Sequence, residues 1–171
     1  HIKTPGVEMS GGSLGQGLSF GLGVSLASRL NRLSSRTFVL LGDGECDEGQ
    51  IWEAAMSASH HGLDNLVAIV DRNRIQNDRW THEVMSLEPF TDKWKSFGWH
   101  VMEVDGHNVD ELVLAFDTAE TIKGRPSVII ANTLKGKGVS FMENNVDFHG
   151  KAPSPEELSK ALEELEQEKI L

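Results

Sequence analysis

Cysteine is nearly absent from this chain of 171 residues, where Cys46 is the only one. A single cysteine excludes a disulfide bond within the chain, which is usual for proteins of a reducing compartment, so we expect a cytoplasmic location. Cys46 lies inside the glycine-containing motif described below. A reactive thiol is conceivable there, but we expect a small, buried side chain.

Positive charge is also scarce. Sixteen lysine and arginine residues stand against 26 aspartate and glutamate residues, for a net charge of −10. This balance argues against a surface for nucleic acid or for an anionic membrane. It is also unfavourable for an anionic ligand, unless a divalent cation and the N-terminus of a helix offset the charge locally.

The sequence shows no signal peptide and no convincing membrane span. Residues 9–28 carry no charge, but six glycines, five serines and one glutamine make them too polar to cross a bilayer. We expect them to form a buried helix that ends near Leu30. The length and even composition predict one domain over residues 1–171.

The central segment of the chain follows a strand–turn–helix–strand pattern. An apolar run at residues 37–41 predicts a buried parallel strand, and it ends in the Gly-Asp-Gly turn at residues 42–44. A helical pattern follows at residues 49–61. A second apolar run at residues 66–71 then leads directly into Asn73.

Asp43 and Asn73 therefore follow the carboxyl ends of two strands of one sheet. Open α/β sheets bind their ligands at that edge. A carboxylate oxygen and an amide oxygen that converge there are suitable ligands for Mg²⁺ or Ca²⁺. The pattern predicts a site for a hard cation.

The central segment resembles a known cofactor motif. Gly-Asp-Gly, a spacer of about thirty residues and then Asn73 are typical of enzymes that bind thiamine diphosphate. The sequence Glu-Gly-Gln-Ile-Trp-Glu-Ala-Ala at residues 48–55 and Leu-Asp-Asn-Leu at residues 63–66 resemble transketolases in particular. Residues 11–17 are similar to the family's Gly-Pro-Leu-Gly-Gln-Gly segment, with Ser13 in place of proline.

The resemblance covers nearly the whole chain and implies the N-terminal, diphosphate-binding half of a transketolase. The implied fold is a doubly wound, mainly parallel α/β sheet. The implied metal ligands are Asp43, Asn73 and the main-chain carbonyl of Ile75, around Mg²⁺ (or Ca²⁺ or Mn²⁺). The residues implied to contact thiamine diphosphate are Gly12, Leu14, Gly42, Asp43, Gly44, Asn73 and His149.

Two residues are implied to take part in catalysis. His149, followed by Gly150, matches the family histidine that reaches the diphosphate and the reacting sugar hydroxyls. Glu48 matches the family glutamate that faces its counterpart across a two-fold interface, although a glutamate in the first turn of a helix also complements the helix dipole. His107 is expected to serve a turn rather than catalysis.

The remaining elements follow from periodicity and turn signals. We expect a polar loop at residues 74–89, which lacks the glycine that the family often has near Arg79, so a contact from Asn77 to the pyrimidine ring is doubtful. Helices are expected at 90–97, 109–122 and within 151–171, and strands at 99–104 and 127–132. In the C-terminal helix, Leu158, Leu162 and Leu165 form an apolar stripe expected to pack on a partner or on the chain itself.

The resemblance implies a transketolase-type transferase of the pentose phosphate type, which moves a two-carbon ketol unit between sugar phosphates. It also implies a second, C-terminal domain or subunit that binds the pyrimidine ring, in a homodimer or heterotetramer. The chain begins without methionine, and we expect it to lack the family's first helices. Deoxyxylulose-phosphate synthase, the α subunit of 2-oxoacid dehydrogenases and a non-catalytic subunit remain alternatives.

Overall fold

The computed structural model describes residues 4–77 and 79–168. The helices are α1 (Gln16–Leu30), α2 (Gly49–His60), α3 (Thr81–Val84), α4 (Phe90–Ser96), α5 (Val109–Thr121) and α6 (Pro155–Glu168). The strands are β1 (Thr37–Gly42), β2 (Leu66–Arg72), β3 (Ile75–Gln76), β4 (Arg79–Trp80), β5 (His100–Asp105) and β6 (Ser127–Asn132). Two 3₁₀ turns are η1 (Gly44–Asp47) and η2 (Val146–His149).

Four parallel strands form the main sheet in the order β1-β2-β6-β5. Gly42 pairs with Asp71, and Asp71 pairs in turn with Ala131, so the carboxyl ends of three strands lie side by side. Because β6 lies between β2 and β5, its first five residues are buried. The apolar runs in the sequence are therefore strands of a parallel sheet, as predicted.

Helices cover both faces of this sheet, which confirms the predicted doubly wound fold. On one face, Val70 and Ile130 belong to a large core that α1, α2 and α4 complete, with Trp94 fully buried in it. On the other face, Val67 and Ile129 pack with α5. Side chains alternate between the two faces, so β2, β5 and β6 contribute to both cores, whereas β1 contributes only to the first.

The face under α5 is incompletely covered at β1. Phe38 meets the edge of the Phe116 ring at 5.7 Å between centroids. Even so, Phe38 remains half exposed, and Leu40 is 73% exposed. α5 thus covers the centre of this face and leaves the β1 side open within the described part of the chain.

Two details of the sequence prediction need correction. Residues 74–89 are not only loop, since they contain the antiparallel pair β3–β4 and the short helix α3. Residues 9–14 are exposed, and α1 is buried on one face only, with Phe20 and Val24 on its exposed side.

The described chain covers the apolar stripe of α6 only in part. Leu158, Leu162 and Leu165 are 48%, 54% and 37% exposed, whereas the smaller Ala161 is buried. Packing of the stripe on a partner stays a prediction. Among the described residues, no helix has the length and apolar character needed to cross a membrane.

Candidate functional site

Asp43 is the buried carboxylate at the carboxyl edge of the sheet, and it is only 2% exposed. Its Oδ1 accepts a hydrogen bond from the Gly44 amide at 2.8 Å, and its Oδ2 accepts one from the Arg74 amide at 2.5 Å. Burial raises the pKa of Asp43 and outweighs the lowering effect of these two amides. A desolvated carboxylate held only by amides is well suited to bind a cation.

Asn73 lies beside Asp43 and is oriented from both ends of its amide group. Its Nδ2 donates to Asp71 Oδ2 at 3.3 Å, and its Oδ1 accepts from the Ile75 amide at 3.0 Å. Asp71 in turn accepts from the Thr133 hydroxyl. Because an amide oxygen has two lone pairs, Oδ1 can still bind a second partner. The structure therefore brings the two predicted side-chain ligands to one edge.

Arg74 connects these two residues through its backbone and was not predicted from the sequence. Its φ of 66° lies in the left-handed region, which is uncommon for a residue other than glycine. This conformation directs its amide to Asp43, while its carbonyl accepts from the Thr81 amide at 2.9 Å. No sequence signal marks the role, since the side chain of Arg74 takes no part in it.

Three distant segments converge next to this edge. β3, which begins at Ile75, contacts both η1 and η2. Gln76 Nε2 also donates to Asp47 Oδ2 at 2.7 Å. The side chain of Asn145 caps η2 by accepting from the Asp147 amide at 3.1 Å. The turn that ends in His149 thus lies against the strand that carries Ile75.

His149 itself is exposed at the end of η2. Partial burial lowers the pKa of His149, and the positive charge of Lys135 lowers it further. Its imidazole is therefore neutral at pH 7, with one nitrogen that donates and one that accepts a hydrogen bond.

The glycine-rich turn before α1 is bound to the same edge by a residue that the sequence did not single out. Glu45 Oε1 accepts from the Gly15 amide at 2.7 Å, and Oε2 accepts from the Gly42 amide at 2.9 Å. Gln50 Nε2 donates to the Leu14 carbonyl at 3.0 Å. Gly12, also predicted to bind cofactor, lies on the exposed part of this turn.

The donor set limits what kind of metal site can form. Within residues 4–77 and 79–168, no group of three or more histidine, cysteine, aspartate or glutamate residues could hold a metal ion. The edge offers one carboxylate, Asp43, one side-chain amide oxygen, Asn73, and nearby main-chain carbonyls. Since Mg²⁺ requires about six oxygens, a bound ligand and water must supply the others. These residues fit a metal that is shared with a diphosphate.

A cavity of about 310 Å³ opens beside Asp43. Its other lining residues are Arg72, Arg74, Thr81, His82, Ser86, Leu87 and Glu88. The guanidinium of Arg72 is already neutralised by a salt bridge to Glu88 and stacks over Phe90 at 5.4 Å.

The sequence matches the family model "Transketolase, thiamine diphosphate binding domain" over residues 1–169. The chain belongs to this family. It is 48% identical over 166 residues to the 6-deoxy-6-sulfo-D-fructose transketolase subunit of Clostridium sp. (strain MSTE9), covering 97% of the chain and 60% of that protein. It is 43% identical over 164 residues to an apulose-4-phosphate transketolase subunit of Phocaeicola vulgatus, covering 96% of the chain and 58% of that protein.

Solved structures agree with these sequence matches. The crystal structure of transketolase from Campylobacter jejuni superposes with a TM-score of 0.88 at 30% identity, over 96% of this chain and 27% of that one. A transketolase from Pichia stipitis, in complex with sedoheptulose-7-phosphate, gives 0.73 at 27% identity, over 99% of this chain and 30% of that one. The chain thus spans about 60% of the subunits that it matches and less than a third of these longer transketolases.

The predicted position of Glu48 in this transketolase domain needs one correction. It is the N-cap residue of α2 rather than a member of its first turn, and its side chain makes no capping hydrogen bond. The side chain is exposed. Its role at a two-fold interface stays a prediction.

Two smaller predictions are confirmed. Cys46 is fully buried, and this burial raises the pKa of its thiol well above the ordinary value, so the side chain is an unreactive filler. His107 has a structural role, because its Nε2 accepts a hydrogen bond from the Leu134 amide at 2.7 Å and so joins its turn to the segment after β6.

Proposed function

We propose that this chain is the diphosphate-binding part of a transketolase that transfers a two-carbon ketol unit between sugar phosphates, as in the pentose phosphate reactions. The observation that carries the proposal is the buried Asp43 carboxylate, held by two amides beside Asn73 in a chain of this family. That arrangement supplies part of a metal site and leaves the remaining positions to a ligand with several oxygens.

The metal is Mg²⁺, with Ca²⁺ or Mn²⁺ as substitutes of similar chemistry. Asp43, Asn73 and the main-chain carbonyl of Ile75 would hold it. The Gly44 amide, which donates to Asp43, would be shared with a diphosphate oxygen at the start of η1. Gly42, Gly12 and Leu14 complete the contacts to the cofactor. Thiamine diphosphate, when bound, supplies the nucleophilic carbon and the electron sink for carbon–carbon cleavage.

The protein's own contribution to the reaction comes from two positions. His149, neutral at pH 7, donates or accepts a hydrogen bond at the diphosphate and at the sugar hydroxyls. Glu48 faces its counterpart across a two-fold interface, which its exposure at the start of α2 permits. Substrate binding and proton transfer at the sugar thus depend on the exposed side of the site.

A second polypeptide or domain completes the enzyme. The two relatives cited above are named as subunits, and this chain spans 60% and 58% of them. We assign residues 1–171 to one diphosphate-binding domain, with the pyrimidine-binding domain on its partner, in a homodimer or a heterotetramer. The single, buried cysteine agrees with a cytoplasmic location.

A reconstitution assay tests the function. The chain is mixed with the product of a neighbouring transketolase-like gene, thiamine diphosphate and Mg²⁺, and ketol transfer from a ketose phosphate to an aldose phosphate is measured. 6-Deoxy-6-sulfo-D-fructose and apulose-4-phosphate are also tried as donors, since the two cited relatives are named for these sugars. We expect transfer only with both polypeptides. Robust transfer by this chain alone would contradict the need for a partner, and failure to bind thiamine diphosphate would refute the function.

A further inference from the structure

Glu45 joins two parts of the chain that both belong to the candidate site. Each oxygen of its carboxylate accepts one glycine amide, from Gly15 at 2.7 Å and from Gly42 at 2.9 Å. Gly15 is the N-cap residue of α1, and Gly42 ends β1 directly before Asp43. One side chain therefore ties the glycine-rich turn to the sheet edge.

The turn has little freedom once these bonds are made. Gly15 has a φ of 87°, and a Cβ built there would lie 2.9 Å from Glu48 Cβ and 2.7 Å from Gln50 Nε2. The bond from Gln50 to the Leu14 carbonyl provides a second tie. Hydrogen bonds to a charged carboxylate are about twice as strong as those between neutral groups, so Glu45 is the stronger of the two ties.

The charge of Glu45 is otherwise unfavourable at this place. η1 also carries Asp47 and follows Asp43, in a chain whose net charge is −10. An additional carboxylate repels an anionic ligand. If Glu45 only filled space, a neutral side chain of the same shape would serve an anion-binding site better.

We propose that Glu45 is a positioning residue for the diphosphate site. Its carboxylate holds the turn that contains Gly12 and Leu14 in a fixed position relative to Asp43. The inference rests on the function proposed above. According to this proposal, the Glu45 carboxylate strengthens cofactor binding in spite of its negative charge. Glu45 acts through the backbone and does not touch the reacting atoms.

The substitution Glu45→Gln separates positioning from simple charge repulsion. Glutamine has the same shape, but its NH₂ group cannot accept a hydrogen bond, so one of the two glycine amides loses its partner. Positioning predicts that thiamine diphosphate binds about tenfold more weakly in the presence of Mg²⁺, because the loss of one charged hydrogen bond is of that size. Charge repulsion predicts tighter binding. Glu53→Gln, which removes a glutamate on α2, controls for net charge and should leave affinity within about twofold.

A second measurement needs no cofactor. Amide hydrogen exchange by NMR should be about tenfold faster in Glu45→Gln at whichever of Gly15 and Gly42 loses its acceptor, with no change at Ile129 in the central strand. If the wild-type chain together with its partner does not bind thiamine diphosphate, the proposed function fails, and the exchange result alone decides whether Glu45 fixes the turn. If Glu45→Gln does not fold, Gln50→Ala removes the second tie and should speed exchange at Gly15 several-fold.

The inference is overturned by unchanged exchange at both Gly15 and Gly42. It is overturned equally by faster exchange with unchanged or tighter cofactor binding, since Glu45 would then brace the fold without serving the ligand.

Discussion

Replacement of Asp43 by asparagine tests the metal site most directly. The variant keeps the shape of the side chain and removes the one buried carboxylate at the sheet edge. We expect thiamine diphosphate to bind at least about tenfold more weakly, because hydrogen bonds and contacts to a charged group contribute roughly 1.5–3 kcal/mol each. What binding remains should no longer depend strongly on Mg²⁺.

The stability of the cofactor-free protein should respond in a different way. Burial raises the pKa of Asp43 in the folded state above its unfolded value of about 3.8. Between these two pKa values the folded state binds more protons, so the free energy of unfolding falls as pH rises through that window and stays lower above it. Asparagine at position 43 removes this pH-dependent loss of stability, but it also leaves one of the Gly44 and Arg74 amides without an acceptor. We expect the two effects to offset each other to within about 1 kcal/mol, or roughly 2–4 °C in Tm.

Isothermal titration calorimetry with Mg²⁺ and with EDTA measures the binding, and thermal unfolding from pH 4 to pH 8 measures the stability. Asp117→Asn, which removes an exposed aspartate from α5, is the control and should change neither. Wild-type affinity that is insensitive to EDTA in the Asp43→Asn variant would refute the assignment of the metal site.

Three further predictions concern the surroundings of Asp43. His149→Ala in the reconstituted enzyme should lower turnover by about 10² to 10⁴ while Tm stays near that of the wild type, and unchanged turnover would remove His149 from the site. Arg74→Gly should preserve cofactor affinity and Tm. Arg74→Val should lower the free energy of unfolding by about 1–3 kcal/mol, because a β-branched residue resists the left-handed conformation. Equal Tm values for the two variants would contradict this prediction. Lys135→Gln should raise the pKa of His149 towards its ordinary value in an NMR titration, but not above it. Partial burial remains in this variant, and it is the larger cause of the lowered pKa. An unchanged pKa of His149 would show that Lys135 does not act on it.

Much of the fold could be predicted from the sequence because its signals are local. Apolar runs that end in glycine or asparagine mark parallel strands, and the geometry of such a sheet alone places Asp43 near Asn73. The capping motif at the start of α6 is of the same kind: the Ser154 hydroxyl accepts from the Glu157 amide, and Glu157 accepts from the Ser154 amide. The sequence pattern predicts the structure correctly where a contact is made between residues that are close in sequence.

The rest depends on contacts between distant residues. Nothing local to Glu45 shows that it will meet Gly15, thirty positions away. The left-handed backbone of Arg74 is likewise imposed by its partners, Asp43 and Thr81, and not by its own type. The exposure of the leucines on α6 could not be predicted either, since periodicity defines an apolar stripe but not its partner.

The position of β6 has a consequence for folding during synthesis. Among the described strands of the main sheet it is the latest in sequence, yet it lies between β2 and β5. Until residues 127–132 have left the ribosome, β2 has one unpaired edge and β5 has no neighbour in the sheet. The nascent chain therefore holds a strand edge open to pairing with other chains, which is a hazard for aggregation. Insertion of this central strand closes the edge of β2 and gives β5 its neighbour, so the main sheet is completed only when its last strand is available.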